Sequence, residues 1–315
     1  MVNRLAILCS GQAGQHAAMF DLARQDPQAD ALLQSWPLAA VCGHPLQDIL
    51  TNDSLLYANP IAQPLVVAAG LAMWQAVKKL LPPPAIVAGY SIGELTSWAI
   101  ADALDAEEVI HLAAQRARLL QACVAADQPQ IMLAISLSHA LLSLDDLHAL
   151  LRQQNFYSAI TIAEDSVIVG GLLERVPAIE SAVTALGGKV TRLPIEIASH
   201  TPWMSDAVAP FRQALIASAM RQPSIPVLAG ISGARQHGKE DAVASLPRQL
   251  AETIHWQSVM DSLEEAGITM ALEIGPGAAL SKMLKTRHPH IESRSVADFR
   301  SLAGLGKWVA RCEES

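Results

Sequence analysis

Ser91 lies two residues from a glycine on either side, in Gly89-Tyr90-Ser91-Ile92-Gly93. The apolar run at residues 85–88 reads as a short buried strand, and a helical pattern follows over residues 92–101. A serine on such a strand-turn-helix elbow has its hydroxyl exposed at the tip. The Ile92 N–H and the positive end of the new helix then aim at the place where an oxyanion forms. That chemistry is nucleophilic acyl transfer. A plain structural turn uses the same residue types, so the rest of the chain must supply a base and a reason for the site.

His200 offers the base. It follows the alternating apolar residues Leu193, Ile195 and Ile197 and precedes Thr201-Pro202, a helix start with Thr as N-cap and Pro in the first turn. A helix N-terminus disfavours the imidazolium and keeps the ring available as a base. His16, His255, His288 and His290 compete for the role, the last two having the late position that a hydrolase triad uses. The Gly-rich loop at residues 10–15 lacks the Lys-Ser/Thr of a P-loop and the third glycine of a dinucleotide fingerprint. A second oxyanion donor is its functional reading, and an ordinary strand-helix loop is the bland one.

Arg116 falls in the apolar stripe Val109, Leu112, Ala113, Leu119, Leu120 of a helix predicted over residues 105–121. A guanidinium on a buried face requires an anion. Glu94 is one candidate partner and a substrate carboxylate is the other. Arg118 falls on the opposite, solvated face.

The elements that position these residues alternate between strand and helix. Strands are expected at residues 4–10, 85–88, 225–231 and 268–274, with helices at 61–80, 92–101, 105–121, 246–253 and 258–266. This pattern implies a parallel sheet covered on both faces, with the site at the carboxyl ends of its strands. Between them, strand 131–137, helix 141–152, strands 157–163 and 167–170, helix 174–186 and strand 189–195 follow the βαββαβ order of a ferredoxin-like unit. The expected organisation is therefore a large α/β domain, residues 1–128 and 198–315, with an inserted small domain at 129–197. The tail from His288 is polar, then weakly helical.

With 51% hydrophobic and 17% charged residues, the 315-residue chain can build a sizeable core. A formal charge of -8, without a basic stripe interleaved with aromatics, argues against nucleic acid as a partner. The four cysteines are scattered with no CxxC pair, which gives no metal site or disulfide framework and points to a reduced, cytoplasmic setting. Residues 61–77 come nearest to a membrane span, but Pro64 and the flanking Lys78-Lys79 fit a buried helix of a soluble protein.

Taken together, residues 10–15 (Ser-Gly-Gln-Ala-Gly-Gln), 89–94 (Gly-Tyr-Ser-Ile-Gly-Glu), Gln115-Arg116, Ala198-Ser199-His200, Trp256 and 273–277 (Glu-Ile-Gly-Pro-Gly) resemble the malonyl-CoA:acyl-carrier-protein transacylase family. The resemblance spans nearly the whole chain and implies an α/β-hydrolase-like large domain. It implies Ser91 as the nucleophile carrying a malonyl ester, His200 as the base, and the N–H groups of Gln12 and Ile92 as the oxyanion hole. Arg116 would hold the malonyl carboxylate, which decides between the two readings above. Gln249 matches the position whose main-chain carbonyl orients the histidine, giving a Ser-His dyad, and Gln63 matches a segment that lines the site. No bound cofactor is implied. Malonyl-CoA is the substrate and a carrier protein with a phosphopantetheine-type arm is the acceptor.

Three departures stand out: Ser10 and Ala13 in the first motif, Tyr90 for a usual histidine, and Ile162-Ala163-Glu164-Asp165 for an Asn-rich segment. They look most like the epsilon subunit of malonate decarboxylase, whose carrier bears a dephospho-CoA-type arm. A malonyl transacylase of fatty-acid or polyketide synthesis is the alternative. A serine hydrolase using Asp261 and His288 is the rival from a neighbouring class. Lys282, Lys285 and Arg287 form either a basic patch for an acidic carrier or a solvated helix face.

Overall fold

The computed structural model describes residues 4–137 and 144–314 of an α/β fold built on two sheets. The strands are β1 (Leu5–Cys9), β2 (Pro84–Gly89), β3 (Gln130–Ser136), β4 (Tyr157–Ala163), β5 (Ser166–Leu172), β6 (Lys189–Arg192), β7 (Val227–Leu228), β8 (Arg235–Gln236), β9 (Ile254–His255), β10 (Met270–Ile274) and β11 (Glu292–Ser295). The larger sheet has the order β11-β10-β1-β2-β7-β8. Its neighbours are parallel except for the β7-β8 pair at one edge, so the expected all-parallel sheet is a mixed one.

β1 is buried along its whole length because both faces of the sheet are covered. Leu5, Ile7 and Cys9 face a helical layer that includes Asn59–Val77, Ala106–Ala122 and Ser205–Ala217. Ala6 and Leu8 face the opposite way, toward Trp256, Val259 and Leu280 and toward Met132, Ile160 and Ile168 of the smaller sheet. The apolar helix Asn59–Val77 is long enough for a membrane span together with Lys78–Leu80, but 83% of its apolar window is buried inside this fold.

The smaller sheet runs β6-β3-β5-β4-β9, antiparallel until the last pair. Two helices, Leu144–Gln153 and Val176–Ala185, cover one face through Leu147, Leu151, Ile179 and Val183. The start of the helix expected from residue 141 lies outside the described residues. Its fifth strand, β9, comes from beyond residue 197, so the small sheet is completed by a segment assigned to the large domain. Four further expectations are corrected. The strand expected at 225–231 shrinks to two residues because Pro226 and Gly230 bound it, and the one at 189–195 stops at Arg192, just before Pro194. The helix expected at 246–253 instead begins at Lys239, and β11 forms where only a polar tail was foreseen.

The β2 elbow depends on close backbone approach. A Cβ on Gly93 would collide with the Cys9 carbonyl, and one on Gly89 with the backbone of Gly93 and Glu94. Neither collision can be relieved by a side-chain rotation. Gly93→Ala should therefore cost upwards of about 3 kcal/mol in urea denaturation. Gly43→Ala, at a left-handed position with open space around it, should cost only about 1 to 2 kcal/mol. Equal losses would contradict this packing.

Candidate active site

Three adjacent strands, β10, β1 and β2, end at the same edge of the sheet, and the loops that follow them meet there. Tyr90 N–H donates to the Cys9 carbonyl at 3.0 Å and Ser10 N–H to that of Ile274 at 3.1 Å, which locks the loop starts together. They line one side of a cavity of about 460 Å³ that also reaches Met132, Ile160, Ile168 and Ile195 of the small sheet region. Ser91, Gln12 and His200 all line it.

Ser91 adopts φ 57° and His200 φ 63°, both in the left-handed region that non-glycine residues avoid. Such strain persists only where the surroundings over-determine it. The two residues meet: Ser91 Oγ is 2.7 Å from His200 Nε2. His200 Nδ1 lies 2.5 Å from the main-chain carbonyl of Gln249, which can only accept. Nδ1 therefore carries the proton, and Nε2 accepts from the Ser91 hydroxyl. Burial, reinforced by the charge of Arg116, pushes the imidazole down to about 3, against the pull of the Gln249 carbonyl. The neutral ring is thus secured by desolvation and a neighbouring cation, the physical source that the helix-terminus argument did not name. Thr201 does precede the short helix Pro202–Met204, but its hydroxyl donates to Ala198 instead of capping.

Arg116 is 2% exposed, on the helix Ala106–Ala122, and among the described residues no carboxylate is in ion-pair reach of it. Its Nη1 donates to Gln63 Oε1 at 2.6 Å and its Nη2 to Gln249 Oε1 at 3.2 Å. The same Nη2 points to Ser91 Oγ at 3.5 Å, too long for more than a weak contact. Burial lowers the guanidinium to about 9, so it stays charged at neutral pH, with Glu94 opposing the shift. Of the two candidate partners, Glu94 makes no direct contact with the guanidinium. Glu94 is buried nearby, but it bonds to the Gln249 amide at 2.6 Å and the Gly230 N–H at 2.9 Å. Burial pushes its carboxyl up to about 7.

The Gln12 loop is held by Gln15, whose Oε1 accepts from Ala13 N–H at 2.7 Å and whose Nε2 donates to Leu56. Among the described residues the N–H groups of Gln12 and Ile92 have no protein acceptor, as an oxyanion hole requires. Asn59, which the sequence reading missed, bonds both Ala117 and Gln63. A buried amide one helical turn before Gln63 was the available signal.

The hydrolase rival is not assembled. His288 and Asp261 do pair, at 2.9 Å, but with Arg287 bidentate on the same carboxylate and at the end of the helix Ala279–Arg287 away from the cavity. Glu264, His288 and His290 lie within 4.8 Å of one another, but His288 Nε2 is committed to Asp261. His255 bonds Thr161 on the surface. Of the three basic residues, Lys282 lines the cavity and Arg287 is tied to Asp261 and Glu164.

Comparison with known proteins now decides the family. The model described as acyl transferase domain matches residues 7–309. The chain belongs to the acyl transferase domain family. Malonyl CoA-acyl carrier protein transacylase of Mycobacterium tuberculosis is 29% identical over 311 residues, spanning 96% of this chain and all of that one. Among solved structures, MCAT from M. tuberculosis superposes with a TM-score of 0.86 at 26% identity, over 98% of this chain and 100% of that chain. The transacylase from Coxiella burnetii has the same fold, with a TM-score of 0.89 at 22% identity over 99% of both chains. These relatives do not bear out the malonate decarboxylase branch expected from the departures at Ser10 and Tyr90. Tyr90 instead packs edge-on against Trp256, with ring centroids 5.1 Å apart.

The depressed His200 makes a stability prediction for this acyltransferase. Its unfolded-state value, 6.5, lies above its folded value of about 3, so the unfolded chain takes up the proton first on acidification. The contribution is fully present above 6.5 and lost as pH falls toward 3. His200→Gln should therefore gain stability relative to the parent as pH drops through this window. Parallel urea-stability curves would contradict the assignment.

Proposed function

We propose that this acyltransferase moves malonyl groups from malonyl-CoA to the thiol of an acyl carrier protein through an ester on Ser91. The observation that carries this reading is a buried guanidinium, cradled by two neutral amide oxygens and 3.5 Å from the Ser91 hydroxyl, with no carboxylate among the described residues in ion-pair contact with it. A substrate with a free carboxylate supplies what is missing. The named relatives support the same reaction.

In the first half-reaction the Ser91 proton passes to His200 Nε2 as Oγ attacks the thioester carbonyl. The N–H groups of Gln12 and Ile92 take the charge on the carbonyl oxygen, and His200 returns the proton to the departing CoA sulfur. The second half-reaction runs in reverse order with the carrier thiol, deprotonated by His200, attacking the Ser91 ester. Gln249 orients the imidazole through its carbonyl, so a dyad suffices without a third acidic residue.

The acceptor reading follows the relatives. A carrier of fatty-acid or polyketide synthesis is favoured over the malonate decarboxylase carrier, and no bound cofactor is called for. We read the architecture as an α/β-hydrolase-like domain, residues 1–128 and 198–315, with a ferredoxin-like insert at 129–197. The strand order β6-β3-β5-β4 supports the second term. The free thiols of Cys9, Cys42 and Cys123 support a reducing, cytoplasmic setting.

Mixing the protein with malonyl-CoA and no carrier should leave a malonyl adduct on Ser91, detectable by mass spectrometry and absent in Ser91→Ala. A charge-assisted hydrogen bond is worth about 1.5 to 3 kcal/mol, so Arg116→Ala should cut the preference for malonyl over acetyl by roughly 10- to 100-fold. Unchanged selectivity would show that the guanidinium is structural. With holo-carriers as acceptors, the fatty-acid type should outrun the decarboxylase type, and the opposite order would restore the decarboxylase branch.

A further inference from the structure

Arg116 can only donate hydrogen bonds, so its site exists only while both flanking amides present oxygen to it. Either amide, turned over, would put an NH₂ group against the guanidinium. Gln63 is held by a chain that ends on the backbone: its Nε2 donates to Asn59 Oδ1 at 2.7 Å, and Asn59 Nδ2 donates to the Ala117 carbonyl at 2.9 Å. Gln249 is held by a carboxylate. Its Nε2 donates to Glu94 Oε2 at 2.6 Å, with a longer contact to the Ser91 carbonyl at 3.4 Å.

Glu94 itself is fixed by the backbone, because the Gly230 N–H donates to the same oxygen at 2.9 Å. The other oxygen, Oε1, is buried and has no partner among the described residues. A carboxylate 1% exposed with half its acceptors unmet is expensive for the fold. Besides helping Arg116 to keep its charge, it orients Gln249, whose carbonyl also aims His200 and whose Oε1 aims Arg116.

Building on the reading of Arg116 as the malonyl anchor, we propose that Glu94 is a positioning residue that sets substrate choice, by holding the Gln249 amide so that its oxygen faces Arg116. It touches no reacting atom. Its effect reaches the substrate through Gln249 and then Arg116.

The test compares kcat/KM for malonyl-CoA and acetyl-CoA in the full chain with a holo-carrier as acceptor. Glu94→Met fills the same volume with no acceptor, and Glu94→Gln keeps an oxygen for the Gln249 amide. Arg116→Ala serves as the control. The expected result is a loss of roughly tenfold or more in the malonyl-to-acetyl ratio for Glu94→Met, carried by the KM for malonyl-CoA, with acetyl transfer little changed. Glu94→Gln should restore the ratio to within about threefold of the parent on the same hydrogen-bond argument. A merely structural role would lower both substrates alike and leave the ratio alone.

If Arg116→Ala erodes the ratio but Glu94→Met does not, the positioning role is overturned and the anchor reading stands. If Arg116→Ala leaves the ratio intact, the anchor reading fails and this inference falls with it. A Glu94→Gln protein that loses selectivity as fully as Arg116→Ala also overturns the hydrogen-bond account. Should Glu94→Met not fold, Glu94→Asp takes its place under the same criteria, its carboxylate withdrawn from Gln249 by one methylene.

Discussion

A positive charge buried against a nucleophile, with only neutral oxygens to hold it, is the constraint around which this protein is arranged. A guanidinium without an ion-pair partner in a protein interior is costly, and an apolar side chain in its place would be easier on the fold. Here two amide side chains from distant segments, Gln63 and Gln249, carry part of that cost. The charge has a second effect on its neighbour, because it helps burial to keep His200 unprotonated. Arg116 and His200 are thus one electrostatic unit: the buried cation also keeps the imidazole neutral and able to accept a proton.

The sheet supplies the geometry. Because β10, β1 and β2 are parallel and adjacent, the loops that follow them open at one edge, where helix starts and unbonded N–H groups gather. Gly89 and Gly93 let the β2 elbow press against the end of β1. The small sheet closes the cavity from the other side with apolar residues, and β9 ties the two parts together one residue before Trp256. Ser91 and His200 thus meet at the wall of a cavity whose opposite side is apolar.

Local features of this design were legible in the sequence. The Ser91 elbow is written in consecutive residues, and the Arg116 stripe follows from helical spacing. The order of elements in the small sheet likewise follows from alternation and turn residues. Features made by pairing across the chain were not. Nothing near Glu94 says that its partner is residue 249, and Asn59 and Gln63 are isolated polar residues in a largely apolar helix. β8, β9 and β11 are too short or too polar to stand out, since edge strands are recognised by the sheet they join and not by their own pattern. His200 was found by its surroundings in sequence, but its neutral state comes from burial and from Arg116, which only the folded chain brings near.

The central claim is that the carboxylate of the acyl group meets Arg116 while the ester sits on Ser91. A crystal structure of the malonyl ester, trapped without carrier, tests it most directly. The account predicts the free carboxylate within hydrogen-bond distance of the guanidinium, with Gln63 and Gln249 still presenting oxygen to it. A carboxylate turned into the open cavity toward Lys282, with Arg116 still bonded only to Gln63 and Gln249, would contradict it.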